Sequence, residues 1–280
     1  MEYSGQLPES NVNLSKRSPL QEMALLLGGL TGLCFLFYLV LGWAVDYAVQ
    51  YITPEQEQAL YRQVQFSEGL GKGAAPERTA AVQALLDGMN ECAPLPYRVT
   101  VEVIENGQVN AAAFPGGHIL IFSGLLDEIE SENELAFVLG HELGHFKHRD
   151  HLRGMGRGIV LFAMAMFLMG PDSDVGDIIF NTLGVAQQAY SREQESAADR
   201  FALDVVQCHY GHVGGSTRFF EMMKEKSETP AFLKYYSSHP ADQKRIDDLK
   251  ALAQEKQYQE NAVVPWQVPA SQTETGHPEG

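Results

Sequence analysis

From Met23 to Val45 the chain reads MALLLGGLTGLCFLFYLVLGWAV, a run without a single charge. As a helix it would rise about 34 Å, enough to cross a hydrocarbon core of about 30 Å. In lipid every backbone N–H and C=O must be satisfied from within, so a lone apolar run of this kind is confined to a helix. We therefore expect a transmembrane anchor over residues 21–47. The competing reading is a cleaved signal peptide, but the run exceeds the usual apolar region and no A-x-A-like site follows it. Lys16 and Arg17 precede the run, whereas Asp46, Glu55 and Glu57 follow it before the first basic residue, Arg62. The positive-inside rule then puts the N-terminus in the cytoplasm and everything after Val45 on the non-cytoplasmic side, which in a Gram-negative bacterium is the periplasm.

The chain of 280 residues holds enough apolar material for a sizeable domain that needs neither metal nor disulfide to persist. Its 36 acidic and 20 basic residues give a net charge of −16, which excludes nucleic acid as a natural partner. Residues 1–20 and 253–280 are polar and aperiodic and read as flexible tails, which leaves one domain over 52–252. No repeat of 20 to 50 residues is present, so a solenoid is excluded. Of three cysteines, Cys34 lies within the apolar run, while Cys92 and Cys208 can pair if their compartment is oxidising.

Within the domain, Arg78 to Met89 has helical spacing, and Tyr97 to Ile104 alternates with a period of two. The dipeptide Asn106-Gly107 is a strong signal for a tight hairpin turn. Strands near Val109–Phe114 and His118–Phe122 follow, so a small antiparallel sheet is expected. Ser131 and Glu134 form a capping box that opens a helix with an apolar stripe at Leu135, Val138, Leu139 and Leu143. A second apolar run, Gly158 to Met169, is too short to cross a bilayer comfortably. It reads as a buried or membrane-surface helix, a re-entrant crossing, or a substrate-facing wall. Asp177–Asp204, Glu221–Lys226 and Gln243–Ala253 read as further helices.

The chemistry concentrates in HELGH, His141 to His145, which matches H-E-x-x-H. Two histidines four apart lie within about 40° on one helix face and can share a zinc ion. Glu142 between them is then beside the open position, placed to take a proton from the attacking water. Imidazoles on an apolar helix need partners, and one zinc per chain would provide them.

A catalytic zinc needs a third protein ligand, and two candidates are present. One is Glu195 in YSREQESAAD, Tyr190 to Asp199; the other is His151, at the position used in H-E-x-x-H-x-x-G-x-x-H enzymes. The glycine of that pattern is replaced by His148, and on a continuous helix His151 would stand about 80° from His141. His148 and His151 accordingly read as solvated helix-end residues. Asp199 shares a helix face with Glu195 and can accept a hydrogen bond from the free nitrogen of a zinc-bound histidine.

Four ordered pieces, NAAAFPGGHILIFSGLL (Asn110 to Leu126), HELGH, YSREQESAAD and SHPADQKRI (Ser238 to Ile246), give the chain a resemblance to the HtpX and CAAX-prenyl-protease type of membrane-associated zinc metallopeptidases. The resemblance implies an α+β, mostly helical zincin-like domain with a small sheet, preceded here by one transmembrane helix. It implies zinc on His141, His145 and Glu195, Glu142 as general base, and protein or peptide substrates. It further suggests that the strand at Asn110, Ala111, Ala112 and Ala113 receives the substrate backbone by strand addition. His239 would donate to the developing oxyanion or cover the zinc. The family's prenyl proteases have many membrane helices and this chain one clear span, so envelope protein quality control is the expected role. An alternative is a catalytically silent zinc protein serving as a chaperone or assembly factor. Lipid contact is expected through the N-terminal helix.

Overall fold

The computed structural model describes residues 18–63, 75–169, 190–226, 229–231, 235, 239 and 243–267. The N-terminal tail ahead of Ser18, the part of Asp177–Asp204 ahead of Tyr190, Pro240, and the C-terminal tail after Gln267 lie outside these residues. Helix α1 (Pro19–Val49) opens on a reciprocal cap: Ser18 Oγ accepts from the Gln21 N–H, and the Gln21 side chain accepts from the Ser18 N–H. No residue of its most apolar stretch is buried by the rest of the chain, and among the described residues it is the one helix long and apolar enough to cross a membrane. Helices α2 (Pro54–Gln63) and α3 (Pro76–Met89) follow.

The sheet comprises β1 (Thr100–Ile104), β2 (Ala111–Phe114) and β3 (His118–Phe122) in the order β1-β3-β2. It is mixed rather than antiparallel: β2 and β3 form a hairpin, but β1 runs parallel to β3, with Thr100 opposite His118. The hairpin expected at Asn106-Gly107 is absent, and neither residue has the positive φ that a primed turn needs. Asn106 is instead used locally. Its side-chain oxygen accepts from the Gln108 N–H (2.9 Å), its own N–H donates to Ser123 Oγ (3.0 Å), and its carbonyl accepts from the Gly124 N–H (2.9 Å). Gly124 is required there, because a Cβ would come within 2.6 Å of the Gly107 carbonyl. This staple to the start of α4 (Ser123–Glu128) carries the chain past the end of β3 to its far side. The tight turn falls between β2 and β3, where Gly116 and Gly117 have φ of 81° and 85°.

Helix α5 (Glu132–His148) is buried from Asn133 to Phe146 and packs against α7 (Arg192–Tyr210), β2, α3 and α8 (Arg218–Lys226). Ser131 caps its start by accepting from the Glu134 N–H (3.2 Å), but the Glu134 carboxylate reaches one residue beyond a capping box, to the Glu130 N–H (3.0 Å). The helix ends at Arg149, in the left-handed region at φ 58°, and a new helix, α6 (Asp150–Met169), begins at once. The break turns α6 back along α1. Helix α9 (Gln243–Glu255) completes the domain.

The chain after α9 read as a tail, yet its first part is docked. The Val264 carbonyl accepts from the Glu132 N–H (2.8 Å), the Val264 N–H donates to Asn133 Oδ1 (2.8 Å), and the Trp266 N–H donates to the Glu130 carbonyl (3.1 Å). The N–H groups at a helix start have no partner within the helix, and this strap supplies one. Trp266 also packs on the core. A disulfide joins Cys92, after α3, to Cys208, near the end of α7.

Candidate metal centre

Close packing of α5 on α7 builds the site. Small residues face each other where these helices meet: a Cβ on Gly144 would lie 2.8 Å from Ala198 Cα, and one on Gly140 would lie 3.1 Å from Ala202 Cα. The approach brings Glu195, on the first turn of α7, up to the two histidines of α5. His145 Nε2 lies 3.1 Å from His141 Nε2 and 3.4 Å from Glu195 Oε1, and His141 Nε2 lies 3.6 Å from Glu195 Oε2. His239 completes the group, its Nδ1 being 3.0 Å from Glu195 Oε1 and 3.2 Å from His141 Nε2. All four residues are buried, and their donor atoms lie within 4.8 Å of one another.

Each imidazole of α5 is oriented from behind. His141 Nδ1 is 2.9 Å from Asp199 Oδ1, and His145 Nδ1 is 3.0 Å from Asp150 Oδ2, so a proton on each Nδ1 leaves both Nε2 lone pairs turned inward. Arg245 on α9 binds Glu195 Oε2 (2.6 Å) and forks onto Asp199 (2.6 and 2.8 Å), with its guanidinium stacked 4.2 Å from the Phe220 ring. Tyr190 stacks on His145 at 3.8 Å between ring centres, and Tyr235 on His239 at 4.8 Å.

Burial alone would raise the carboxyl pKa values here, but the surrounding cations and imidazoles prevail. His239 and His141 hold Glu195 well below the usual carboxylate range, and His141 and Arg245 do the same for Asp199. Burial opposes protonation of His145, yet its hydrogen bonds to Asp150 and Glu195 push its pKa up to about 9. The donor set suits zinc: two imidazole nitrogens, a further imidazole, and a carboxylate kept ionised. Glu142, buried beside it, has two carboxylate oxygens with no hydrogen-bond partner among the described residues, and its Oε1 is 3.8 Å from His239 Nε2.

His151 is neither solvated nor in this group. The break at Arg149 turns it into the interior, where its Nε2 is 2.8 Å from Glu57 Oε1 of α2. The same oxygen accepts from Tyr97 Oη (2.7 Å) and the Gly116 N–H (3.0 Å). His148 is half-buried at the end of α5. The sequence reading missed Asp150, Tyr190, Tyr235 and Arg245. Asp150 and Arg245 carried a signal, since each lies within or beside a quoted motif, but their partners are set by tertiary contacts. Asn110, Ala111 and Ala113 are buried and Ala112 half-buried. The 3.0 Å bond from the Phe122 N–H to the Asn110 carbonyl fixes the alternation, so the backbone groups of Ala111 and Ala113 point away from β3.

The chain is 30% identical over 182 residues to mitochondrial metalloendopeptidase OMA1 of Arabidopsis thaliana, covering 62% of this chain and 35% of the relative. It is 27% identical over 181 residues to metalloprotease YcaL of Escherichia coli, covering 62% and 68%, and 26% identical over 165 residues to the beta-barrel assembly-enhancing protease of the same organism, covering 53% and 33%. The chain spans about a third of the length of most of these relatives. The profile of peptidase family M48 matches residues 76–253, well over half of the chain and every residue of the buried donor group. The chain therefore belongs to peptidase family M48, whose metal is zinc.

Proposed function

We propose that the protein is a membrane-anchored zinc endopeptidase acting on envelope proteins. The observation that carries this reading is the buried donor group with an unpartnered carboxylate, Glu142, beside it. His141, His145 and Glu195 would hold the metal, with Asp199 and Asp150 orienting the imidazoles. When bound, zinc supplies a Lewis acid that polarises the scissile carbonyl and makes water more acidic. Glu142 takes a proton from the attacking water and passes it to the leaving amine. The outward backbone groups of Ala111 and Ala113 on the edge strand β2 would pair with an extended peptide, and Asn110 and Ala112 hold the register against β3. His239 Nδ1 lies within the donor group, which favours covering the metal over donating to an oxyanion. A catalytic zinc keeps an open position, so turnover requires His239 to withdraw.

Anchoring is supported by α1 and by its C-terminal end. Trp43, Tyr47 and Tyr51 are exposed there, Trp43 stacked on Tyr47 at 5.9 Å and Tyr47 meeting Tyr51 edge-on at 5.2 Å, and aromatic residues of this kind are favoured at a membrane surface. The Cys92–Cys208 disulfide suits an oxidising compartment and, with the Lys16 and Arg17 bias, supports a periplasmic domain. The relative named for enhancing β-barrel assembly supports a quality-control role. Glu142→Gln removes the base without removing a donor to zinc. It should keep one zinc per chain and the fold while losing nearly all peptide cleavage, as measured by metal analysis and hydrolysis of an unfolded protein substrate. Hydrolysis near the wild-type rate would sink the mechanism.

A further inference from the structure

We infer that α6 is a second membrane-embedded element, a half-span helix that enters the bilayer beside α1 and is covered by lipid acyl chains. The inference rests on the reading of α1 as a membrane anchor. Contacts between the two helices run in opposite senses along the chain: Arg149 Nη1 donates to the Val49 carbonyl (2.7 Å), Arg153 and Arg157 pair with Asp46 (3.9 and 2.7 Å), and Gly156 faces Val45. A Cβ on Gly156 would lie 2.5 Å from Val45 Cγ1, so the helices meet closely there.

Along α1 the covered positions form one stripe at helical spacing, Val49, Val45, Gly42, Tyr38 and Cys34, while the other faces stay exposed. That stripe extends about 22 Å from the domain, and the principal neighbour of α6 is α1. If α1 lies in hydrocarbon, a helix running beside it for this distance lies there too.

The sequence of α6 changes character at the corresponding level. Its first two turns, Asp150 to Arg157, carry the charges that meet Asp46, beside the aromatic residues of α1. The rest, Gly158 to Met169, is uncharged, and Ile159 is 60% exposed. Those 12 residues rise about 18 Å, beyond the middle of a core of about 30 Å but short of crossing it. An uncharged helix beside a membrane span, with Ile159 turned outward, is satisfied by lipid and penalised by water.

The element begins at the metal centre. Asp150, its first residue, orients His145, and the chain next comes into the described structure at Tyr190, stacked on the same imidazole. Asp150 is also only about 10 Å along the helix from Arg157. The centre therefore stands close above the membrane surface, within reach of membrane-proximal segments of substrates.

The test uses the full chain, with Cys34→Ser, in phosphatidylcholine–phosphatidylglycerol vesicles with and without brominated acyl chains. An environment-sensitive fluorophore is placed on Leu36→Cys in α1, on Ile159→Cys or Met164→Cys in α6, and on Lys147→Cys in α5. Zinc content confirms that each protein is folded. Labels at 36, 159 and 164 should lose most of their emission to the brominated chains, and the label at 147 should keep it. Quenching at 36 without quenching at 159 and 164 would overturn the inference and leave the anchor standing. Quenching at none of these positions would show that α1 itself is not embedded, and the inference would fall with it.

Discussion

At the level of single residues, geometry separates the two candidates for the third zinc donor. Glu195 lies within 3.6 Å of both His141 and His145, whereas His151 is bonded to Glu57. Glu195→Ala should lower zinc affinity and abolish peptidase activity. His151→Ala should retain one zinc per chain and lose only stability, by about 1–3 kcal/mol, because a buried carboxylate loses a partner. Asp199→Ala should weaken zinc binding by about 10 to 100-fold, since it releases the His141 imidazole and leaves Arg245 without its fork. Zinc titration and thermal melting of the three variants would check these outcomes. Glu134 is a separate case: burial, the largest influence, pushes its pKa up to about 7 although its hydrogen bond to the Glu130 N–H opposes this. A carboxyl whose pKa is raised on folding contributes stability that is complete below the unfolded pKa of about 4.3 and is lost as pH rises through the folded value. Glu134→Gln keeps the hydrogen bond and escapes the titration. It should match the wild type at about pH 4 and exceed it by about 1–3 kcal/mol at pH 8, as read from paired melting curves.

At the level of helices and strands, the metal centre depends on how near α5 and α7 can come. Gly144→Ala would put a methyl 2.8 Å from the Ala198 backbone. The helices must then part, at a cost of about 1–3 kcal/mol, and Glu195 moves away from the histidines. We expect zinc affinity to fall more than for Gly140→Ala, whose contact is 3.1 Å; melting temperature and zinc dissociation constants would rank the two. The elements themselves were largely legible. Period and capping located α3, β3, α5 and α9 to within a few residues, because local propensity and burial agree there. Pairing was less legible: Asn106-Gly107 has the chemistry of a primed turn, but Ser123 and Gly124 compete for its backbone groups and win. The break at Arg149 was hidden for a similar reason. A non-glycine residue holds the left-handed position, with its side chain fastened to the Val49 carbonyl of another helix. The pairing of His141 with His145 was legible because their spacing on one helix is a covalent property of the chain, whereas Glu195 was one of two candidates until the family resemblance favoured it. Asp150 and Arg245 were not legible, because tertiary packing alone brings them to the metal centre.

For the molecule as a whole, distant parts of the chain are tied across the domain. The Cys92–Cys208 disulfide spans a sequence separation of 116 residues and joins the α3 side to the end of α7. Removing it with Cys92→Ser and Cys208→Ser should cost about 3–5 kcal/mol, because a long loop regains freedom in the unfolded chain. Zinc stoichiometry at 25 °C should not change, since neither sulfur touches the metal centre; melting with and without reductant would show the wild type converging on the variant. The strap formed by Val264 and Trp266 makes a tie of another kind. It supplies partners to the first turn of the HELGH helix from 131 residues further along the chain. The consequence is one of timing. As the chain is synthesised from its N-terminus, both zinc histidines are made long before the residues that finish their helix, and Glu195, His239 and Arg245 also come later. A growing chain thus carries the two histidines of α5 without their partners until the later helices and the strap have been made.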